Sequence, residues 1–392
     1  MGNKLKVLIV SRSWPSDEHS GVSLMAAKHA ETLIENGFDV SIIGSKKSIE
    51  HEILPIRNKV HIASTGSGSL YSPSKVDILG LSLAIDRIAP DAAIVEAWQT
   101  ALSDEAISAC YSKGIPVGII SHGVSLWPVT STIKQILKSL CWIPYRFLKF
   151  EKNIRKLSLI SCLDLISQSS RFYDRDKALQ LGIPVRLLVN SPYHITSNVI
   201  SRASRKLQIL VVGYFSPIKN QLEAIEMLKS IPKNFTLRFV GNKSGSYYKK
   251  CKKYALSIGF GDRIIFSDDS ECNLADEIGK SLLVFMPSLT EVLPLTLLEA
   301  MAAGTPFVAS SVGVTSLKGG YYLPNAQTRK IAVQELLIDE IKWAELSNDG
   351  IDHYKNFYSK EISDRQLIEF VTALKNSQHG KTTLVRGDSY AS

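Results

Sequence analysis

The sequence predicts an α/β protein made of two tandem, Rossmann-like, doubly wound parallel-sheet domains, and three observations carry that prediction. The chain has 392 residues, and at about 100–200 residues per domain this length fits two cores. Hydrophobic residues make up 45% of it and charged residues 21%, a balance that fills those cores and excludes disorder as the main state. Short apolar runs alternate with helical patterns along most of the chain, which is the grammar of βαβ units and hence of parallel sheets.

Lys6–Ser11 reads as the first strand, Ser23–Asn36 as a helix closed by Gly37, and Val40–Gly44 as the next strand. A strand at Ala92–Ala97, a helix near Asp104–Lys113 and a strand at Val117–Ser121 follow, the last running into His122-Gly123. Leu157–Ser167, a helix near Ser170–Leu181 stopped by Gly182-Ile183-Pro184, and Val185–Val189 finish the domain ahead of a hinge around 191–206. The second alternation has strands at Leu207–Val212, Thr236–Val240, Ile264–Phe266, Leu282–Met286 and Phe307–Ala309. Between them lie helices at Gln221–Ile231, Tyr247–Ile258, Leu274–Lys280 and Pro294–Ala303, and helical patterns at Thr328–Leu346 and Ser363–Leu374 close the chain. The expected domains are 1–195 and 196–360, with a terminal helix at 361–376 and a Gly-, Ser- and Thr-rich tail at 377–392 that has little to bury and should fray. Open parallel sheets bind ligands outside the carboxyl ends of their strands, so the site is expected at those edges.

No apolar run approaches the roughly 18 residues of a membrane helix, and Val7-Leu8-Ile9-Val10 is too short for the core of a signal peptide. A cytosolic chain is therefore expected. Lys6 stands where a myristoylation signal wants Ser or Thr. The cysteines at 110, 141, 162, 251 and 272 are odd in number and lack Cys-x-x-Cys spacing, which argues against a disulfide framework and a zinc site.

The most informative stretch runs from Met286 to Pro306 and reads as strand, loop, helix, strand. Pro294 suits the first helical turn and Gly304 the stop, which leaves Glu291 in the loop ahead of the helix and Glu299 inside it. The helix is apolar on nearly every face, and a buried carboxylate is costly without a partner, so Glu299 needs a dedicated one. The backbone N–H groups of Val292 and Leu293, at the positive end of the helix dipole, form a cradle for phosphate or sugar hydroxyls. The bland alternative, a helix-start acid and a solvated one, suits Glu291 better than Glu299. In Val211-Val212-Gly213-Tyr214-Phe215-Ser216-Pro217-Ile218-Lys219-Asn220, a strand leaves into a turn at Gly213 and a single lysine, Lys219, follows that can act as a point charge on phosphate.

Glu291 and Glu299, set in Pro-Ser-x-x-Glu and Leu-Leu-Glu-Ala-Met-Ala-Ala-Gly-Thr-Pro, resemble the paired-glutamate signature of retaining, nucleotide-sugar-dependent glycosyltransferases of the GT-B fold, family 4 or group 1. The resemblance covers about 5–375 and implies two Rossmann-like domains facing across a cleft, with a C-terminal helix able to cross back to the first. It implies that Glu291 contacts the donor sugar and Glu299 the nucleotide ribose. Lys219 matches the lysine of the family's Gly-Arg…Lys-Gly element, which neutralises the leaving diphosphate, while Tyr214 stands at its arginine and Asn220 at its second glycine. Arg12 and Lys243 are candidate substitutes for the missing cation. The loop Ser13–Ser23 lacks Gly-x-Gly-x-x-Gly, so dinucleotide binding is unsupported. It is similar to the family's first-strand loop, in which Gly21 would lie close to donor phosphate; a plain turn is the other reading. His122 matches a histidine that faces the donor sugar in many members, and a satisfied structural histidine fits its position as well.

Asp174-Arg175-Asp176 looks like a metal-binding Asp-x-Asp, but its helical setting argues for a surface segment, and neither metal nor cofactor is expected beyond a donor of UDP or GDP type. The formal charge is +9, from 46 Lys and Arg against 37 Asp and Glu. Much of that excess lies in 130–160, where Lys134, Lys138, Arg146, Lys149, Lys152, Arg155 and Lys156 interleave with Trp142, Tyr145 and Phe147. Such a stretch suits an anionic membrane surface. It equally suits a core helix with a solvated basic face, and no nucleic-acid motif accompanies it. The expected function is transfer of a sugar from a nucleotide sugar to a glycan or lipid-linked acceptor; a non-catalytic nucleotide-sugar-binding protein and a GT-B-like epimerase are the alternatives.

Overall fold

The computed structural model describes residues 4–17, 20–52, 56–67, 69, 72–124, 140–167, 170–192, 195 and 199–377. The chain forms two compact units, Met1–Leu188 with the chain from Asp364 onward, and Val189–Ser363. The break thus falls ahead of the expected 195, directly after the last strand of the first unit.

The first unit holds a seven-stranded sheet of β1 (Lys6–Val10), β2 (Asp39–Gly44), β3 (Asn58–His61), β6 (Ala92–Glu96), β7 (Val117–Ile120), β8 (Leu159–Cys162) and β9 (Val185–Leu187). All pairings in it are parallel, in the order β3-β2-β1-β6-β7-β8-β9. A short antiparallel pair, β4 (Ser64–Thr65) and β5 (Lys75–Val76), stands apart. Successive residues of a strand point to opposite faces. Leu8, Val10, Ala93, Val95 and Ile119 accordingly pack on one side, with residues of α2 (Ile78–Ile88) and α3 (Ala101–Ser112). Val7, Ile9, Ala92, Ile94 and Ile120 pack on the other, with residues of α1 (Gly21–Glu35) and of the last helix (Lys360–Asn376). Burial on both faces is why these strands are apolar runs and not alternating ones. Ser20 caps α1 in a reciprocal capping box with Ser23.

The second unit holds β10 (Lys206–Val212), β11 (Thr236–Val240), β12 (Ile264–Ser267), β13 (Ser281–Met286), β14 (Phe307–Ser310) and β15 (Gly320–Leu323). They form one parallel sheet in the order β12-β11-β10-β13-β14-β15. Chain order therefore reverses between β1 and β6 in one unit and between β10 and β13 in the other. At such switch points the connections diverge to opposite faces and leave a crevice at the carboxyl edge.

Several elements differ from expectation for local reasons. The strand after Leu157 stops at Cys162, because Asp164 accepts from the N–H groups of Ile166 and Ser167 and turns the chain. The helical pattern at 328–346 is two helices, Ala326–Ile338 and Glu340–Phe357, since Asp339 ends one and its side chain caps Lys342 N of the next. Asp174 and Arg175 are buried and not on the surface. The Asp174 carboxylate accepts from Trp98 Nε1 (2.6 Å) and Ser121 Oγ, and the Arg175 guanidinium donates to the carbonyls of Asp164 and Ser167. Most of the expected tail, 378–392, lies outside the described residues. No helix among the described residues is long and apolar enough to cross a membrane.

The last helix packs on the sheet of the first unit where Gly118 of β7 leaves room for it: a Cβ there would come within 2.9 Å of the Phe370 ring. Phe370 is fully buried. Phe370→Ala should therefore lower unfolding stability by about 3–5 kcal/mol in urea titration, as truncations of buried aromatics do; a loss below about 1 kcal/mol would show that this contact does not hold the helix.

Candidate functional site

In the second unit Gly213, Lys219 and Glu291 meet at the switch point. β10 runs into Gly213, whose φ of +136° suits glycine alone. Its carbonyl lies so close to the loop after β11 that a Cβ on Gly241 would be 2.2 Å from it. From this turn the chain passes Tyr214 and doubles back at Ser216, which accepts from Lys219 N. The Lys219 side chain lies under Gly213 and places its Nζ 2.6 Å from Glu291 Oε1, in the loop after β13. The two side chains are 22% and 12% exposed, so the pair is shielded yet reachable. The Tyr214 ring centroid is 5.9 Å from the same ammonium, and Tyr214 itself is exposed.

Asn220 explains how the chain manages without a glycine after Lys219. Its φ is +53°, in the left-handed region that Asn tolerates better than most residues. Its Nδ2 donates to Glu223 Oε2 (2.8 Å) and to Pro287 O (3.3 Å). Glu223 is gripped in turn by the buried Arg329 through two bonds of 2.7 Å. Leu289 N donates to Ile218 O (2.7 Å) and Val314 N to Val292 O (2.7 Å), so the loops after β10, β13 and β14 are tied together around Glu291.

The helix after Glu291 spans Leu295–Ala302 and is buried along Leu297–Ala302. Pro294 is its N-cap, with extended backbone, and not a residue of the first turn as expected. Glu299 is 4% exposed in this apolar helix, as the sequence required of a paired carboxylate. Neither Val292 N–H nor Leu293 N–H donates to another described residue, and both stand just ahead of the helix. Lys243 pairs with Glu271 on an exposed part of the unit.

In the first unit Gly21 opens α1, and Arg12 lies in the loop between β1 and α1. His122, at the carboxyl end of β7, places Nε2 2.9 Å from Oε2 of Glu96, the last residue of β6. Oε1 of Glu96 is 2.8 Å from His29 Nδ1 on α1. Burial would push the Glu96 carboxyl up, but the two facing imidazoles outweigh it and hold the group at about 2. Glu96 and His29 are two site residues that the motifs of the sequence do not mark. The signal was there: a carboxylate ends the otherwise apolar Ala-Ala-Ile-Val-Glu strand, the same anomaly that marked Glu299.

Of the basic stretch, Lys134 and Lys138 lie outside the described residues. The rest is helical over Ile143–Tyr145, Arg146–Phe150 in a π turn, and Glu151–Ile154. Tyr145 is buried and donates to Asp104, Trp142 packs edge-on against Tyr145, and Lys149 and Lys156 bond Glu105 and Ser108. Only Phe147 of the three aromatics is turned outward, with Leu140, Ile143 and Leu148.

Residues 195–316 match the family model described as glycosyl transferases group 1. D-inositol 3-phosphate glycosyltransferase of Rhodococcus opacus (strain B4) is 28% identical over 192 residues, a match that takes in 45% of this chain and 43% of that protein. Sucrose-phosphate synthase from Thermosynechococcus elongatus superposes with a TM-score of 0.71 at 15% identity, over 95% of this chain and 99% of that one. Anabaena Alr3699/HepE, solved in complex with UDP-glucose, gives 0.67 at 15% identity, over 94% of this chain and all of that one (100%). The resemblance to group 1 glycosyltransferases is thus borne out, and the chain has their doubly wound GT-B fold.

Asn220→Val should cost about 1–2 kcal/mol more than Asn220→Gly in urea unfolding, since a β-branched residue resists a left-handed backbone. Equal costs would show that the side-chain bonds of Asn220, and not its backbone, decide the site. Glu96 gives a pH signature. Its folded pKa lies below its ordinary value of about 4.5, so its contribution is complete above that value and disappears as pH falls toward about 2. Wild-type protein should lose about 3 kcal/mol from this group across that window, and Glu96→Gln should lack that slope.

Proposed function

We propose that the protein is a retaining, metal-independent glycosyltransferase that moves a hexosyl group from a nucleoside diphosphate sugar, of UDP or GDP type, to a glycan or lipid-linked acceptor. The observation that carries this reading is the Lys219–Glu291 pair at the switch point of the second unit, with the buried Glu299 in the helix that follows Glu291. Gly213, Lys219, Glu291, Val292, Leu293 and Glu299 all fall within the segment that matches the group 1 model. A structural neighbour solved with UDP-glucose supports a donor of this chemistry.

On this reading Lys219 and the Val292 and Leu293 amides take the charge of the departing diphosphate, Glu291 orients the sugar, Glu299 holds the ribose, and Gly21 and His122 serve from the first unit. The bond between the anomeric carbon and the phosphate oxygen breaks with its electron pair on the diphosphate. The acceptor hydroxyl forms the new bond from the same face and passes its proton to the diphosphate. Tyr214 in place of a cation favours a second reading, a protein that binds nucleotide sugars without turning them over. Donor turnover separates the two.

The outward Phe147 and Leu148, with the exposed Lys152 and Arg155, support an acceptor held at an anionic membrane, on its cytoplasmic face, in the synthesis of cell-surface polysaccharide. Phe147→Ser with Lys152→Ser and Arg155→Ser should abolish cosedimentation with vesicles containing phosphatidylglycerol and leave nucleotide affinity intact. Wild-type protein that ignores such vesicles at low salt would remove the membrane from the proposal.

UDP or GDP, with their sugars, should raise the melting temperature, since a ligand at 100 times its Kd adds about 2.7 kcal/mol. Glu299→Ala should weaken nucleoside diphosphate binding by about 1.5–3 kcal/mol in calorimetry without unfolding the chain. Lys219→Ala should lower kcat more than it weakens binding of a phosphate-free sugar analogue. Unchanged affinity in folded Glu299→Ala would overturn the assignment of the ribose contact.

A further inference from the structure

His29, Glu96 and His122 form a line of three titratable side chains from the interior of the first unit to the carboxyl edge of its sheet. Their side-chain exposures are 2%, 0% and 10%, so the line reaches solvent only at His122. Both oxygens of Glu96 are occupied, one by His29 Nδ1 at 2.8 Å and one by His122 Nε2 at 2.9 Å. A carboxylate held ionised by its neighbours can only accept hydrogen bonds, so each ring nitrogen that faces it carries a hydrogen. His122 is thereby fixed with its hydrogen on Nε2, and Nδ1 is left as the nitrogen free to serve a ligand. His29 donates through Nδ1, and its buried Nε2 has no partner among the described residues.

The surrounding backbone is strained in the same place. Ala97, directly after Glu96, and Gln99, two residues further on, have φ of +64° and +63°, a conformation that costs a non-glycine residue and persists only where the surroundings enforce it. Ala97 N donates to Ile120 O, which ties the end of β6 to the end of β7, and Tyr145 Oη accepts from Gln99 N. Glu96 and His122 are therefore held by rigid backbone at adjacent strand ends. A core that needed only filling would be cheaper with apolar side chains, since a buried ionic cluster gains little over a hydrophobic one.

We propose that His29 and Glu96 are positioning residues for His122: they lock its ring and its Nε2–H tautomer, so that Nδ1 meets a hydroxyl of the donor sugar in a fixed protonation pattern. This rests on the reading of His122 as a sugar-facing residue. The chemistry is the one by which an outer carboxylate or imidazole orients a working histidine and sets which nitrogen is free.

Long-range nitrogen–proton NMR on labelled protein reads the tautomer directly, without any substrate. Wild-type His122 should show its hydrogen on Nε2, and Glu96→Gln should mix or reverse the two forms, because an amide can present a donor to that nitrogen. His29→Leu should loosen the lock, and His29→Gln, which keeps a donor toward Glu96, should restore it. Turnover is then measured with whichever of UDP-glucose, UDP-galactose and GDP-mannose raises the melting temperature most. Glu96→Gln and His29→Leu should lower kcat by 10–100-fold with KM for the donor within about twofold, and His29→Gln should recover most of it. Wild-type His122 with its hydrogen on Nδ1 would overturn the proposal even if no variant folds. If His122→Ala is inactive while Glu96→Gln keeps the wild-type tautomer and kcat, the proposal fails and the sugar-facing reading stands. If His122→Ala turns over at the wild-type rate, the sugar-facing reading fails and takes the proposal with it.

Discussion

A parallel sheet covered on both faces leaves its central strands little room for a charged side chain except at their ends, and the site of each unit is placed by that constraint. The central strands β6 and β13 are buried along their whole length, so their polar residues stand where the chain enters or leaves the sheet. At both switch points the polar residue is a carboxylate already satisfied by a basic partner: Glu291 by Lys219 and Glu96 by two histidines. The two pairs differ in access to water. Lys219 and Glu291 keep enough exposure to exchange partners with a ligand, whereas Glu96 is sealed and its bonds are permanent parts of the fold. Opening an ion pair is inexpensive only where water or a ligand can replace the lost partner, so the first arrangement suits binding and the second suits alignment.

The precision of the exposed pair is set further back. The helix carrying Glu299 ends at Ala302, and the carbonyls directly after it, at Ala303 and Gly304, accept from the buried Arg205, which also donates to Ser281 O and Thr305 Oγ1. Burial pulls that guanidinium down to about 10, still charged at neutral pH, and its face lies over Trp343. The carbonyl end of the helix is therefore fixed to the base of β13, and its N-terminal end, with Val292 and Leu293, is fixed by the bond from Val314 N to Val292 O. On the other side of the crevice, Arg329, Glu223 and Asn220 hold the turn that delivers Lys219. Neither cation touches the site, yet each decides where a site residue stands.

The buried sheet strands are legible in the sequence because burial on both faces gives unbroken apolar runs, and the candidate site of the second unit stands out because a carboxylate inside an apolar run is conspicuous. Other elements lack that signature. β3, at Asn58–His61, is a half-buried edge strand with the polar sequence Asn-Lys-Val-His. β15 is entered through Gly319 and opens on Gly320, a Gly-Gly pair that reads as a turn, although a Cβ on Gly320 would come 2.1 Å from Phe307 O and only glycine lets the strand approach β14. α2, at Ile78–Ile88, leaves Ile78, Leu79 and Leu83 exposed, so its apolar residues do not trace a single buried stripe. Asp174 looked like a surface acid because its partners, Trp98 and Ser121, are distant in sequence. His29 was hidden for the same reason: an imidazole within an alanine-rich helix says nothing until β6 brings a carboxylate beside it.

On the proposed reading, the departures from the family pattern make the Lys219–Glu291 pair carry two functions. The leaving diphosphate develops negative charge, and Tyr214 brings none of the positive charge that an arginine would set against it. The loss of one preorganised donor of this kind is worth about 3–4 kcal/mol of transition-state stabilisation, so the remaining groups must be well aimed. Lys219 reaches the diphosphate by letting go of Glu291, and the freed carboxylate can then accept from the sugar hydroxyls. Each charge thus leaves its partner at the moment another becomes available, and neither is stranded without one in a shielded crevice. Such an exchange favours a ligand that offers phosphate and hydroxyls together, spaced as in a sugar diphosphate. Phosphate alone would leave Glu291 unpaired, and a free sugar would leave Lys219 unpaired, so the pair itself discriminates in favour of the intact donor.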